Sequence, residues 1–371
     1  MALFLVVVLG IWAFLHAYVF WRLGTVPVIA TSLGPRWLAA IGVALWLSFP
    51  ASRWLGTRLP GSFGWTLDFA ATTWVGVLFL LFSALVAVDG VTAGGWLFPR
   101  IAPSLRGWAA IAAGGLSLVA LFQGLRAPVV HDYEVTMAGL PRERDGLTVV
   151  AASDLHLGGV IGENWLAARI AQIEALHPDL VVLVGDVVDQ NPAPVEAMLP
   201  TLQRLRAPLG VWAVTGNHEH YAGAARCVAL LEAAGFQVLR DRATVVVPGL
   251  VLAGVDDLSA RPSAGRDFSP LTKALAGRPA GATILLSHSP VQVEIAAKAG
   301  AGLMLSGHTH NGQIWPFTYL VGLRYSYLAD RHIIDGMSLI VSRGAGTWGP
   351  RMRLWSPGEI LRIRLRAPAG P

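Results

Sequence analysis

The feature that most constrains this chain is a set of long stretches, all before residue 126, that contain no charged side chain. Ala2 to Trp21 is almost entirely apolar and ends at Arg22, while Phe69 to Val88 follows Asp68 and Gly107 to Leu125 follows Arg106. Each is close to the ~20 residues a helix needs to cross the hydrocarbon core of a bilayer. Trp37 to Ser52 is also uncharged, but it is shorter and Pro50 interrupts it. The expectation is a transmembrane region over residues 1–125 with about four spans, three if the Trp37–Ser52 stretch fails. The first stretch lacks the basic leader and short apolar core of a cleaved signal, so it reads as a retained helix. Composition agrees, with 54% hydrophobic and 14% charged residues, where a soluble enzyme carries about a quarter charged.

Charge excludes one class of partner. The formal balance is +5, but Arg22, Arg36, Arg53, Arg58, Arg100 and Arg106 outweigh Asp68 and Asp89 in the apolar region, which leaves the rest almost neutral. Nucleic-acid binding draws on a basic face for phosphate neutralisation, so no nucleic-acid partner is expected. The loop arginines are too evenly shared to orient the spans by the positive-inside rule. Asp68 and Asp89 flank the third span and read as solvated interface carboxylates. The single cysteine, Cys227, has alanine and leucine neighbours and reads as a small core side chain.

After Leu125 short apolar runs alternate with helical stretches and turn residues, the rhythm of an α/β domain over residues 126–371. Strands are expected at Leu147–Ala152, Leu180–Val184, Gly210–Val214, Leu250–Val255, Thr283–Ser287, Leu303–Ser306 and Ser338–Ser342. Helices are expected at Asn164–Leu176, Ala222–Ala234 and Val291–Ala299. The polar stretch Asp256–Ser269 reads as a surface excursion in preference to a loop over a site.

The chemistry lies where those strands end. The first runs into Ser153-Asp154-Leu155-His156, the second into Gly185-Asp186-Val187-Val188-Asp189, and the third into Thr215-Gly216-Asn217-His218-Glu219. Two more run into Ser287-His288 and Ser306-Gly307-His308-Thr309-His310. The carboxyl ends of strands form the binding edge of an open α/β sheet, so all five clusters can converge on one site. Asp, His and Asn together offer a mixed oxygen and nitrogen shell suited to Mn, Fe, Zn or Ni, unlike a thiolate zinc site.

These blocks, D-x-H, G-D-x-x-D, G-N-H-E, a lone histidine and G-H-x-H in that order, resemble the calcineurin-like metallophosphoesterase family. The likeness runs from about Val130 to the C-terminus and includes Gly312-Gln313. The tail from Ser342-Arg343-Gly344 to Arg353 and Glu359-Ile360 is similar to the membrane-associated bacterial branch. Asn311 departs from that branch, which usually has glycine there. The resemblance implies a β-sandwich flanked by helices (α/β/β/α) and two divalent metal ions. Asp154, His156, Asp186 and His310 would hold one ion; Asp186, Asn217, His288 and His308 would hold the second. His218 would stand beside the leaving group as the catalytic residue, with Asp189 and Glu219 supporting the ligands from behind.

The implied activity is hydrolysis of phosphomonoester, phosphodiester or pyrophosphate bonds by hydroxide generated between two ions ~3.5–4 Å apart. Anchoring points to a substrate that is itself a lipid or a nucleotide-linked glycolipid, as in related enzymes that cleave UDP-diacylglucosamine. It also points to the bacterial cell membrane as the location. The alternative is a non-catalytic membrane sensor or scaffold that binds phosphate ligands. Transport ranks below both, because the spans show neither paired buried charges nor broken-helix patterns. His16, His131, His177 and His332 read as ordinary surface or interface residues, and His220 adjoins the Asn217–Glu219 turn without a clear role.

Overall fold

The computed structural model describes residues 2–55, 61–261 and 267–369. Arg58 and the middle of the Asp256–Ser269 stretch lie outside them. The chain forms two compact units. The helical unit ends at Leu125 and also includes Gly349–Leu354; the second unit comprises Arg126–Trp348 and the tail from Trp355.

The helical unit contains α1 (Ala2–Leu23), α2 (Pro27–Leu55), α3 (Ser62–Thr92) and α4 (Ala102–Leu125). All four are long and apolar enough to cross a membrane. The marginal second stretch is thus a full-length helix. Its chain breaks at Gly34, where φ is 61°, just before Pro35, while Pro50 stays inside the helix. Pro50 has no N–H to give the carbonyl one turn back; that carbonyl, on Trp46, accepts from Trp12 Nε1 at 3.0 Å.

Three expectations about these helices need correction. Asp68 and Asp89 lie inside α3 and are not left to solvent. Asp89 pairs with Arg22 at 2.5 Å and Arg106 at 2.8 Å, and accepts from Tyr18 Oη at 2.6 Å. Arg106 is buried and also donates to Thr25 and the Gly94 carbonyl. Asp68 accepts from Ser52 and lies 3.5 Å from Arg53. Paired buried charges and a broken helix are therefore both present, contrary to the sequence-based expectation. A desolvated carboxylate needs such partners, and the three charged groups join α1, α3 and α4. His16 is likewise internal: its Nε2 accepts from Trp74 Nε1 at 3.0 Å and its Nδ1 faces the Trp12 carbonyl at 2.9 Å.

In the second unit the chain forms β1 (Val129–Thr136), β2 (Thr148–Ala152), α5 (Glu163–Glu174), β3 (Leu180–Val184), α6 (Ala193–Glu196), α7 (Leu199–Leu202) and β4 (Val211–Val214). Next come α8 (Asn217–Ala222), α9 (Ala224–Ala233), β5 (Gln237–Val238), β6 (Arg242–Val247), β7 (Leu250–Gly254), α10 (Ser269–Leu275) and β8 (Ala282–Leu286). The last elements are α11 (Val293–Lys298), β9 (Leu303–Ser306), α12 (Phe317–Gly322), β10 (Asp330–Ile334), β11 (Met337–Val341) and β12 (Glu359–Arg366).

Two six-stranded sheets result, ordered β1-β12-β2-β3-β4-β5 and β10-β11-β9-β8-β7-β6. Strand alternation divides their side chains among three cores. Val149 and Ala151 of β2, with Ile284 and Leu286 of β8 and Leu303 and Leu305 of β9, fill the space between the sheets. Val150 and Ala152 point the other way, to α5 and α9, while Leu285 and Met304 point to α10 and α11. This is the expected α/β/β/α sandwich. Each expected strand is present to within a residue; β1, β5, β6, β10 and β12 are additional. Cys227 is buried on α9 as a core side chain.

Candidate metal centre

The parallel strands β2, β3 and β4 of one sheet and β8 and β9 of the other deliver the polar clusters to a common edge. Sharp turns are needed for chains leaving neighbouring strands to bring side chains together. Asp154, His156, Asp186, His308 and His310 all have φ between 47° and 71°, the left-handed region that non-glycine residues seldom occupy. Strain of this kind persists where the surrounding structure enforces it, as at functional sites. Asn311, the departure from the family's glycine, has φ 50°, a conformation asparagine tolerates better than most residues.

The side chains of Asp154, His156 and His310 form one group that could hold a cation, and those of Asp186, His288 and His308 form another. His156 Nε2 and His310 Nε2 face each other at 3.1 Å, and Asp154 Oδ1 lies 3.3 Å from His310 Nε2. Donors ~2.0–2.2 Å from one ion are spaced in this way. Asp186 Oδ2 lies 3.1 Å from His288 Nε2 and 3.9 Å from His156 Nε2, so its carboxylate faces both groups. Asn217 Oδ1 lies 2.8 Å from His308 Nδ1, which adds an amide oxygen to the second group.

Hydrogen bonds behind these donors set their orientation. His288 Nδ1 contacts the Val184 carbonyl at 2.8 Å, so that nitrogen carries the proton and Nε2 is left as a donor atom. His308 Nε2 contacts Tyr325 Oη at 2.7 Å, leaving Nδ1 on the Asn217 side. Asp189 Oδ1 lies 2.9 Å from His218 Nδ1 and 3.4 Å from His156 Nδ1. Glu219 accepts the N–H groups of Asp186, Val188 and Gly216 at 2.7–2.9 Å, and so fixes ligand backbone. Gly216 permits the closest approach, because a methyl group there would overlap Asp186 Oδ1.

The electrostatics are those of a cation site. Asp154 and Asp186 are fully buried, and burial alone would push their carboxyls up. The imidazoles overcome this, His310 first for Asp154 and His288 first for Asp186, and hold both below the usual carboxylate range. Burial, then Asp186, pushes the Glu219 carboxyl up. Burial opposes the charged form of His288, yet Asp186 and Asp154 hold its pKa well above the ordinary value. Burial, then the neighbouring His288, lowers that of His308. Buried His288 Nε2 has no hydrogen-bond partner among the described residues. Converging acidic and imidazole donors with unpaired lone pairs fit a divalent-metal centre.

Two contributors were missed in the sequence. Asp257 is buried and accepts from Ser289 Oγ at 2.5 Å and from Ser259, so it braces the loop that carries His288. It follows β7 much as the other clusters follow their strands, so the strand-end pattern contained its signal. Its neighbour Asp256 is buried against Arg240 and Thr215, so this stretch does not begin as a surface excursion. Tyr325 reaches His308 from a distant loop and has no local signal. His131 is paired with Glu359 at 3.5 Å and His332 with the Ala329 carbonyl, while His177, just beyond α5, has φ 50°. His220 is partly buried on α8, and its Nε2 has no hydrogen-bond partner among the described residues.

Residues 147–312 match the family model of the calcineurin-like phosphoesterases. A metallophosphoesterase of Aquifex aeolicus is 36% identical over 241 residues, covering 64% of this chain and 91% of that one. One from Helicobacter pylori is 34% identical, covering 66% of this chain and 65% of its own length. A zebrafish transmembrane protein with a metallophosphoesterase domain is 33% identical, covering 68% and 60% respectively. The chain thus spans less than two thirds of the latter two relatives. A solved dimetal phosphatase from zebrafish has 14% identity and a TM-score of 0.34, covering 54% of this chain and 88% of that one. The chain belongs to the calcineurin-like metallophosphoesterase family.

Proposed function

We propose that this protein is a membrane-anchored, metal-dependent phosphoesterase acting on phosphomonoester, phosphodiester or pyrophosphate bonds. The observation that carries the reading is the pair of buried carboxylates, Asp154 and Asp186, ringed by four imidazoles with His218 alongside. Asp154, His156, Asp186 and His310 would hold one divalent ion, and Asp186, Asn217, His288 and His308 a second. Mn, Fe, Zn and Ni all suit this donor set. When bound, such ions neutralise phosphoryl charge and make water a nucleophile near neutral pH.

The remaining work belongs to side chains. His218 is the proton donor to the leaving oxygen, a role typically worth about 10²–10⁴-fold in rate. Asp189, against Nδ1, keeps a proton on that nitrogen and leaves Nε2 to give up the other. Asp257 and Glu219 keep the ligand loops in register. Four apolar helices favour a multi-pass location in the bacterial cell membrane and a lipid-linked phosphate ester as substrate, such as a nucleotide-linked glycolipid of the UDP-diacylglucosamine kind. A phosphate-sensing scaffold has no need of both a complete donor set and His218.

The test is hydrolysis of bis(p-nitrophenyl) phosphate by the detergent-purified chain, stripped of metal and then supplied with Mn²⁺. Metal-dependent turnover that disappears in Asp186→Asn is expected. Two ions bound per chain with no turnover of phosphodiesters, monoesters or lipid pyrophosphates would overturn the hydrolase reading in favour of the scaffold.

A further inference from the structure

Between the metal-site turn and β10 the chain makes an excursion over residues 313–328, and both of its ends grip the ligand loop. At the outgoing end, Thr318 Oγ1 donates to the Asn311 carbonyl at 2.8 Å. Gly312 is needed there, because a methyl group would overlap the Thr318 N–H. At the returning end, Tyr325 Oη meets His308 Nε2 at 2.7 Å and the Leu328 carbonyl accepts from Thr309. Whatever the tip of the excursion touches is therefore held beside His308 and His310.

The tip is apolar and faces outward. Leu323 is 85% exposed, Tyr319 68% and Leu320 54%, with Trp315 also exposed. From Asn311 to Ala329 there is no acidic residue, and Arg324, next to Leu323, carries the one positive charge. Aromatic residues with a leucine or two and a single arginine are what settles at the boundary between headgroups and acyl chains. The arginine suits anionic headgroups.

The same chain supplies the bilayer. α4 ends at Leu125 and β1 begins at Val129, so the connection is three residues long. Even fully extended it reaches only about 14 Å. The chain also passes from Trp348 into Gly349–Leu354, which belong to the helical unit, and returns at Trp355. Every connection between the metal-bearing unit and the helical unit is therefore short in sequence. We infer that the 313–328 excursion is a bilayer-contact element: Leu320, Leu323, Tyr319 and Trp315 insert into the headgroup and acyl boundary, next to the metal centre. The inference rests on the membrane anchoring proposed above, and it stands whether or not the substrate is a lipid.

The test uses the full chain in nanodiscs of phosphatidylcholine and phosphatidylglycerol, with or without lipids brominated near the top of the acyl chain. An environment-sensitive fluorophore is placed singly at Leu323→Cys, Leu118→Cys or Glu232→Cys in a Cys227→Ala background. Leu118 is an exposed residue of α4, and Glu232 an exposed residue of α9. A residue seated ~5–10 Å into the boundary is within reach of the bromines, so the 323 label should lose at least half of its emission, as should the 118 label, while the 232 label is unchanged. Quenching at 118 without quenching at 323 would overturn the bilayer contact alone. No quenching at either position would overturn the anchoring as well. Loss of emission at 323 that follows protein density and ignores bromine would show a second copy on the tip, and would also overturn it.

Discussion

Asp189 Oδ1 lies 2.9 Å from His218 Nδ1 and 3.4 Å from His156 Nδ1, so one carboxylate stands behind both the proposed proton donor and a proposed metal ligand. The histidines hold that carboxylate below the usual range, against the effect of its burial. Asp189→Asn should lower kcat about 10–100-fold, the usual effect of removing such a partner. His218→Ala should cost about 10²–10⁴-fold. Both losses should be larger for an alkyl phosphodiester than for bis(p-nitrophenyl) phosphate, whose leaving group needs little protonation. Equal losses on the two substrates would count against His218 as the donor.

Tyr325 Oη meets His308 Nε2 at 2.7 Å and its ring stands edge-on to the imidazole at 5.1 Å, so Tyr325→Phe keeps the ring contact and removes one hydrogen bond. Metal affinity, read by chelator competition, should weaken by about 10–100-fold. An unchanged affinity would place the hydroxyl outside the metal site.

Gly216 has φ −102°, a conformation any residue can adopt, so alanine there tests space without backbone strain. Its methyl group would collide with Asp186 Oδ1. Gly216→Ala should bind fewer than two metals per chain by elemental analysis, with secondary structure retained by circular dichroism.

In the helices, Arg106→Leu strands Asp89 with fewer partners in a buried setting. Breaking a buried pair costs about 3–5 kcal/mol, and the surviving Arg22 contact sets the lower end here. Arg53→Leu, whose charge is 36% exposed and 3.5 Å from Asp68, should cost under about 1 kcal/mol. Thermal unfolding in detergent should show a lower midpoint for Arg106→Leu and almost none of that shift for Arg53→Leu.

Burial, then the Glu219 charge, pushes the Cys227 thiol up to about 12. The thiolate is the reactive form, so at pH 8 only about one thiol in 10⁴ is ionised. Ellman's reagent should label Cys227 slowly in the folded chain and within minutes in denaturant, where the thiol pKa returns towards the ordinary ~8.5.

How much was legible follows from how local each signal is. Spans, inner strands and the ligand clusters were readable, because apolar runs and the polar residues that end them are adjacent in the chain. The edge strands β1, β6 and β10 were not, since their exposed faces carry Asp132, Glu134, Arg242, Asp330 and Arg331, which dilute the apolar pattern. β12 was missed for a similar reason, with Arg362 and Arg364 alternating with its buried residues.

The sequence by itself determined that the chain has a lipid-compatible region and an α/β region, and which residue types gather at strand ends. Only the tertiary structure decided that Asp89 is enclosed by Arg22 and Arg106, that Glu219 holds backbone N–H groups, and that Tyr325 reaches His308. The reason is physical: hydropathy and turn preference act along the chain, while desolvation of a charge and the direction of a hydrogen bond depend on neighbours that arrive only when distant segments pack.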